Sequence, residues 1–549
     1  MKYTENLVKL YEQSFKDNFE LPALSDYGTT ISYTYEELAV EIEKLHLLFI
    51  EHDIRPGDSI ALVGKNSACW GVIFMATVTY GAIIVPILND FHPNDVQQII
   101  NHSDAVLLFA SDYFLKDLDE KQMPTLKMSY FFAGKQITNR KGENILYRLT
   151  ERFKEKYPQG FSREMIRYPE ISNENIAVLN YTSGTTGFSK GVLITGDNLT
   201  GNLIFARLTL PLDRGDKMVS LLPLAHTYGC SFEFLYPLIQ GCHTTLLGKT
   251  PSPKILMKAF KEVKPDLIIS VPLILEKIYK NMIVPMIEKP VMKIALKIPG
   301  IKSAIYAIVR KKLTQAFGGN FFQVVIGGAP LNKEVEEFFL KIRFPVSVGY
   351  GMTECAPLIS FSLYDKYVPL SCGKILPNME VRIDSQDPYR EAGEIQVFGQ
   401  NVMHGYYKNE EATRQVFTED GWLKTGDLGT IDKDNNVFIR GRSKSMILSS
   451  SGQNIYPEEI EAKLNNLPYI VESLVISKNN RIVALVYPDY EAARTAGLST
   501  DDLKKIMLEN KNTLNGMVAA YERIADIQLY EREFEKTPKK SIKRFLYTT

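Results

Sequence analysis

Short β-rich apolar runs recur between roughly residues 30 and 440, at SIALVG, AVLLFA, IAVLNY, HTTLLG, DLIISV and FQVVIG, with amphipathic helical stretches between them. Strands that alternate with helices pair in parallel, because each crossover returns the chain to the same end of the sheet, so this rhythm predicts layered α/β architecture. The longest apolar stretch, GVIFMATVTYGAIIVPIL at 71–88, falls short of the ~20 residues a membrane span needs. Gly81 and Pro86 divide it into a buried helix followed by a strand. The first residues, MKYTENLVKLYEQSF, alternate charge with hydrophobe and have no apolar h-region, which predicts an amphipathic first helix and no signal peptide. After RGRSKSMILSSSGQNIYPEEIEAKL the rhythm changes. A polar Ser/Gly loop leads into a proline-started helix, then strands near 471–477 and 481–488, a helix from 501 and a strand near 526–530. This reads as a small α+β unit. The expected fold is therefore a large multi-sheet α/β domain, 1–443, followed by a small, mobile α+β lid domain, 444–549, with the boundary near Lys444.

Composition narrows the function class. A chain of 549 residues that is 45% hydrophobic and 23% charged has enough apolar side chain for roughly two to four folded units. Lys plus Arg and Asp plus Glu both total 64, so a general nucleic-acid-binding role has no electrostatic support. Five cysteines without CxxC spacing argue against a zinc site or a disulfide framework, and a reducing cytoplasm is the expected compartment.

One interval departs from this balance. Residues 281–317 place Lys293, Lys297, Lys302, Arg310, Lys311 and Lys312 among Ile, Leu, Val, Met and Tyr, with a break at Pro299-Gly300. Ordinary surface helices covering a core would read this way. So would a basic amphipathic patch making peripheral contact with the inner face of a membrane.

The strongest chemical signal is Tyr181-Thr182-Ser183-Gly184-Thr185-Thr186-Gly187-Phe188-Ser189-Lys190-Gly191, directly after the strand-like IAVLN. Glycines allow tight turns, hydroxyls donate hydrogen bonds and Lys190 brings a positive charge, so the segment suits a polyphosphate. It is not a Walker A loop, because the order G-x-x-x-x-G-K-[ST] occurs nowhere in the chain.

With this segment the sequence resembles the adenylate-forming superfamily of acyl-CoA synthetases, nonribosomal peptide adenylation domains and luciferases. Further matches follow in the family's order: Leu222-Pro-Leu-Ala-His226-Thr-Tyr-Gly229, Gly327-Gly328-Ala329-Pro330, Gly349-Tyr350-Gly351-Met352-Thr353-Glu354, Gly421-Trp-Leu-Lys-Thr-Gly-Asp427-Leu-Gly429 and Gly441-Arg442-Ser-Lys444. The resemblance implies ATP, Mg²⁺ and coenzyme A as the small molecules handled. It makes Thr182 to Gly187 and Lys190 the phosphate loop, and Glu354, with Thr185, the Mg²⁺ ligands. Gly328, Ala329, Pro330, Tyr350, Gly351 and Met352 become the adenine side and Thr353 an α-phosphate contact. Asp427 and Arg442 would hold the ribose, His226 would gate the carboxylate pocket, and Lys444 would be a hinge that swings the loop around Gly452 beside the thiol channel.

The end of the chain departs from the family. Thr537-Pro-Lys539-Lys540-Ser541-Ile542-Lys543-Arg544 resembles the terminal T-x-x-G-K-I-x-R motif, but Ser541 occupies the position of its lysine. Lys540 after a one-residue shift, Lys539 or Lys543 from further along, or no lysine at all are the open readings, and Lys540 is preferred because a long flexible stem absorbs a small displacement.

The abundance of large apolar residues in FEFLYPLIQG and VPLILEKIY fits a fatty acyl substrate, and also fits plain core. No buried acid for an amino-acid ammonium is identifiable, which disfavours an amino-acid activator. An acyl carrier protein as acceptor in place of coenzyme A, a luciferase-like oxygenase and a catalytically weak nucleotide-binding homologue are the alternatives.

Overall fold

The computed structural model describes residues 1–182, 189–248, 252–448, 453–478, 481–537 and 542–547. All six apolar runs are strands, at Ser59–Val63, Leu107–Ser111, Ile176–Thr182, His243–Leu246, Leu267–Ser270 and Gln323–Ile326. They fall into two sheets. The seven-stranded sheet runs in the order Val346–Val348, Gln323–Ile326, Leu267–Ser270, Lys217–Ser220, His243–Leu246, Pro22–Asp26, Ser32–Thr34, and only its last pair is antiparallel. The eight-stranded sheet runs Gly405–Tyr406, Lys190–Thr195, Ile176–Thr182, Ile83–Ile87, Ser59–Val63, Leu107–Ser111, Met128–Ala133, Gln136–Asn139, parallel in its centre.

The stretch 71–88 divides as its glycine and proline require, into helix Ala68–Tyr80 and strand Ile83–Ile87. The Ser67 hydroxyl accepts from the Trp70 amide and starts the helix. Gly81, at φ +86°, ends it in the left-handed conformation. Every residue from Ala68 to Thr79 is buried, the condition expected of a helix that is apolar all round. It packs on strands of both sheets, and Gly71 comes so close to Leu24 Cδ1 (2.8 Å from an added Cβ) that a larger residue would have to push the layers apart.

The α/β rhythm does not extend to residue 440. From Met379 the chain forms a four-stranded sheet of Met379–Asp384, Gly393–Gly399, Leu423–Ile431 and Val437–Arg442, antiparallel throughout. The reason is local. Leu423–Ile431 buries alternate residues at its start, as a strand half-covered by core does, and no helix-length segment separates Leu423–Ile431 from Val437–Arg442.

The small C-terminal unit has its own core of Ile455, Ile460, Leu464, Leu467, Ile470, Val475, Val486, Leu503, Met507 and Leu514. Helices Pro457–Leu464 and Thr500–Met517 belong to this core on the sheet Ile470–Lys478, Arg481–Pro488, Asp526–Leu529. Phe534 packs separately, with Leu474, Ile476, Val483 and Leu485. The two bodies touch through polar contacts: the Asn332 amide donates to Ala462 O at 2.9 Å, and the Lys280 ammonium donates to Ile470 O at 2.9 Å.

Candidate functional site

Three motif segments leave the same edge of the seven-stranded sheet. Leu222–Gly229 follows strand Lys217–Ser220, Gly327–Pro330 follows Gln323–Ile326, and Gly349–Glu354 follows Val346–Val348. These strands run parallel, so their C-terminal ends lie together, where parallel sheets form ligand sites because the loops are free of the core. The first two loops are in contact. A Cβ on Gly327 would lie 2.8 Å from Tyr228 Cζ, and the Tyr228 hydroxyl donates to Val325 O at 3.2 Å. Gly328, at φ +85°, turns the chain outward, and Gly328, Ala329 and Pro330 are exposed at the rim.

His226 is half-buried and precedes the helical turn Thr227–Gly229, its amide donating to Pro223 O at 3.0 Å. Two asparagines tie its loop to the other sheet. Asn66 donates to Leu222 O at 2.6 Å and accepts from the Leu224 amide at 2.9 Å. Asn180 donates to Ala225 O at 2.9 Å from the strand that leads into the hydroxyl-rich segment after Thr182.

Glu354 sits in a turn whose backbone admits nothing larger than glycine at 351, since a Cβ there would meet Pro357 O at 2.1 Å. The Met352 amide closes the turn on Pro357 O at 2.8 Å, and Thr353 is buried within it. The Glu354 carboxylate is half-buried and accepts the Tyr406 hydroxyl at 2.9 Å. Tyr406 lies in a two-residue strand beside Lys190–Thr195, and the Lys190 ammonium stands 4.8 Å from its ring centroid. Lys190 itself pairs across the ladder with Thr182. Thus Lys190, which pairs with Thr182 across the hydroxyl-rich segment, and Glu354 meet on a single tyrosine.

Asp427 is buried between Tyr350, whose hydroxyl donates to Oδ2 at 2.7 Å, and Arg442, whose Nε lies 2.7 Å from Oδ1. Burial pushes its carboxyl above the usual range, while Arg442 and the Tyr350 hydroxyl pull it back. The Arg442 side chain is largely exposed while Asp427 beneath it is buried.

Ser183, Gly184, Thr185, Thr186, Gly187, Gly452 and Lys540 lie outside the described residues, as do Lys539 and Ser541. Of the terminal lysine candidates, Lys543 stands 3.6 Å from Glu535, next to an antiparallel bridge between Lys536 and Ile542. Arg544 pairs with Glu461 and lies 3.6 Å from Glu458, whose Oε2 would be 3.1 Å from a Cβ on Gly441. Arg544 of the terminal motif therefore leans on helix Pro457–Leu464, whose Glu458 approaches Gly441 next to Arg442.

Among the described residues no three His, Cys, Asp or Glu side chains come together as a metal cage. A lone carboxylate at Glu354 nevertheless suits Mg²⁺, a hard cation that keeps several waters and takes the rest of its shell from substrate phosphates.

Reading the sequence alone missed Tyr406, which carries no motif, and Glu233, which did leave a signal as the one charge in CSFEFLYPLI. Glu233 is fully buried in the π-helical turn Cys230–Leu235 beneath the His226 loop. Its Oε2 accepts Ser220 Oγ and the Leu221 and Leu222 amides at 3.0, 3.1 and 3.0 Å. Burial outweighs those bonds and raises its pKa from 4.5 to about 8. Across that window the native chain holds a proton that the unfolded chain has released, so this group's contribution to stability falls as pH rises toward 8. Glu233→Gln, which cannot titrate, is expected to lose that slope. Its Tm relative to wild type should climb between acid and mildly alkaline pH, and a pH-independent Tm difference would contradict the assignment.

The model of the AMP-binding enzyme family matches residues 11–407. Long-chain-fatty-acid–CoA ligase FadD15 of Mycobacterium bovis is 30% identical over 511 residues, 87% of this chain and 82% of that protein. Long-chain-fatty-acid–CoA ligase ACSBG2 of Gallus gallus is 26% identical, covering 84% of this chain and 64% of its own. Among solved structures, ATP-bound MatB from Rhodopseudomonas palustris superposes with TM-score 0.77 at 21% identity, over 99% of this chain and 98% of that one. The anthranilate CoA ligase AuaEII in complex with anthranoyl-AMP gives 0.78 at 21% identity, over 99% and 96%. Proteins of this fold carry a large N-terminal and a small C-terminal domain, matching the two cores seen here. By the extent of the family match and the identity to FadD15, the chain belongs to the AMP-binding enzyme family.

Proposed function

We propose that this protein activates a fatty carboxylic acid with ATP and passes the acyl group to the thiol of coenzyme A. In the first half-reaction a carboxylate oxygen of the acid bonds to the α-phosphorus of ATP, and the bond to the bridging oxygen breaks as pyrophosphate leaves. In the second, the thiol sulfur bonds to the acyl carbon, AMP departs and the thiol proton is released to solvent. The observation that carries this reading is the meeting of Lys190 and Glu354 on Tyr406, which supports a phosphate loop and an acidic group working on one polyphosphate. Bringing a carboxylate onto a triphosphate concentrates negative charge, and fixed donors and cations are what lower that barrier. Mg²⁺, held by Glu354 with Thr185, would supply further neutralisation of phosphate charge.

Lys190 would steady the phosphates and Thr353 the α-phosphate, with Asp427 and Arg442 on the ribose. His226 would gate the acyl carboxylate, Lys540 would reach the site from the terminal segment, and the loop at Gly452 would line the thiol channel. The boundary at Lys444 follows the last strand of the antiparallel sheet, Val437–Arg442, a place where a few residues can absorb a hinge rotation. The names of the curated relatives favour a long-chain acid and coenzyme A as acceptor. Cytoplasmic placement is the compartment that suits both.

ATP–pyrophosphate exchange across acids from acetate to oleate, with and without coenzyme A, tests the reading. Exchange should rise with chain length and acyl-CoA should appear only with the thiol present. Purified protein that exchanges pyrophosphate with none of the acids while binding ATP tightly would instead favour the silent-homologue reading, which Ser541 motivates. Within the same assay, Lys540→Ala is expected to slow exchange more than Lys539→Ala or Lys543→Ala.

A further inference from the structure

Six large apolar side chains stand exposed in one stretch, Met282, Val291, Ile294, Ile298, Ile301 and Ile308, with exposures from 45% to 79%. The segment forms helix Pro290–Ala295 and helix Pro299–Ala316, broken where Pro299 begins the second. Helices that merely roofed a core would turn their isoleucines inward. In Pro299–Ala316 the buried residues are Val309 and Leu313, while Ile301, Ala304, Ala307 and Ile308 lie on the solvent side together with Lys311 and Lys312.

The charge is as one-sided as the exposure. Between residues 281 and 317 stand Lys289, Lys293, Lys297, Lys302, Arg310, Lys311 and Lys312 against a single acid, Glu288, in a chain whose formal net charge is zero. Glu288 lies 3.8 Å from Lys293 and offsets little of it. Among the described residues no helix is long and apolar enough to cross a membrane, so a bilayer contact here would lie on the surface. Exposed isoleucines enter the boundary of headgroups and acyl chains, and lysines on long stems stay at phosphate level, which is the composition of an interfacial helix.

The patch is firmly seated on the body of the protein. Tyr306 packs edge-on against Phe338 at 6.2 Å between ring centroids, and Phe317 stacks on Phe260 at 5.5 Å. Phe338 belongs to helix Lys333–Lys341, which starts three residues after Pro330 of the site loop.

We infer that residues 290–312 form a docking face for an anionic phospholipid bilayer, on which the protein lies peripherally through Ile294, Ile298, Ile301 and Ile308 flanked by Lys293, Lys297, Lys311 and Lys312. The exposure and charge of this face are independent of which acid is activated.

Co-sedimentation of the full chain with vesicles of phosphatidylcholine, with and without phosphatidylglycerol, tests it. Wild type should sediment with the anionic vesicles at low salt, stay in solution with the zwitterionic ones, and be released at high salt. The triple variant K293Q/K297Q/K311Q should partition on the order of 100-fold more weakly, and I294S/I298S/I301S/I308S should lose binding that salt does not restore. These side chains are exposed, so the Tm of both variants should match wild type. Equal sedimentation of wild type and variants overturns the inference. So does a failure of wild type to bind anionic vesicles, whether the face then proves to hold a second copy, seen as a dimer lost in the serine variant, or an acidic protein.

Discussion

Glu354→Gln is expected to slow ATP–pyrophosphate exchange by about 10²- to 10³-fold, the usual cost of deleting a group that stabilises transition-state charge. Gln keeps the shape and can still accept the Tyr406 hydroxyl, so the turn around Gly351 should survive and Tm should hardly move. What disappears is the negative charge. Raising Mg²⁺ should recover part of the rate if the charge serves the metal, and Tyr406→Phe should cost only about tenfold, since it removes one charge-assisted hydrogen bond from the carboxylate. Exchange by E354Q within about threefold of wild type at ordinary Mg²⁺ would falsify the assignment and, with it, the idea that the Lys190 side and the Glu354 side serve one triphosphate.

Asp427→Asn should raise the KM for ATP about 10- to 100-fold with a smaller change in kcat, because hydrogen bonds from ribose hydroxyls to a carboxylate are worth about 1.5–3 kcal/mol each. Here the structure adds a consequence that a surface acid would not have. Asp427 is 4% exposed and already holds the Tyr350 hydroxyl and the Arg442 guanidinium. Asp427→Ala would remove the carboxylate that accepts the buried Tyr350 hydroxyl, and should lower stability by about 1–3 kcal/mol on top of the binding defect. Combining D427N with Tyr350→Phe separates the two roles. If Tyr350 acts by orienting Asp427, the double variant should be little worse than D427N alone, whereas additive losses would mean that the tyrosine works independently.

Much of this was legible in the chain. Apolar runs became strands because their neighbours are apolar too and a parallel strand is buried on both faces, so the signal is local and needs no partner to be read. The split of 71–88 into helix and strand followed from Gly81 and Pro86, and the C-terminal elements came within a few residues of their expected bounds. The antiparallel sheet 379–442 was misread because β-hairpins and βα units share the same short apolar runs, and only the partners of each strand tell them apart.

At the candidate site the residue types were readable and their meetings were not. The glycines, hydroxyls and Lys190 after Tyr181 pointed to a polyphosphate as residue types, since backbone freedom and charge are properties of the residue itself, while nucleotide and metal roles for Gly328, Gly351, Glu354 and Asp427 came only with the resemblance to the adenylate-forming superfamily. That Tyr406, more than two hundred residues after Lys190, joins it to Glu354, that Asn66 and Asn180 bind the His226 loop to the second sheet, that Glu233 is buried with a raised pKa, and that Ile294, Ile298, Ile301 and Ile308 face outward were decided by tertiary structure. Each of these depends on distance between segments remote in the chain or on which face a helix turns to solvent, and neither quantity is written in the order of the residues.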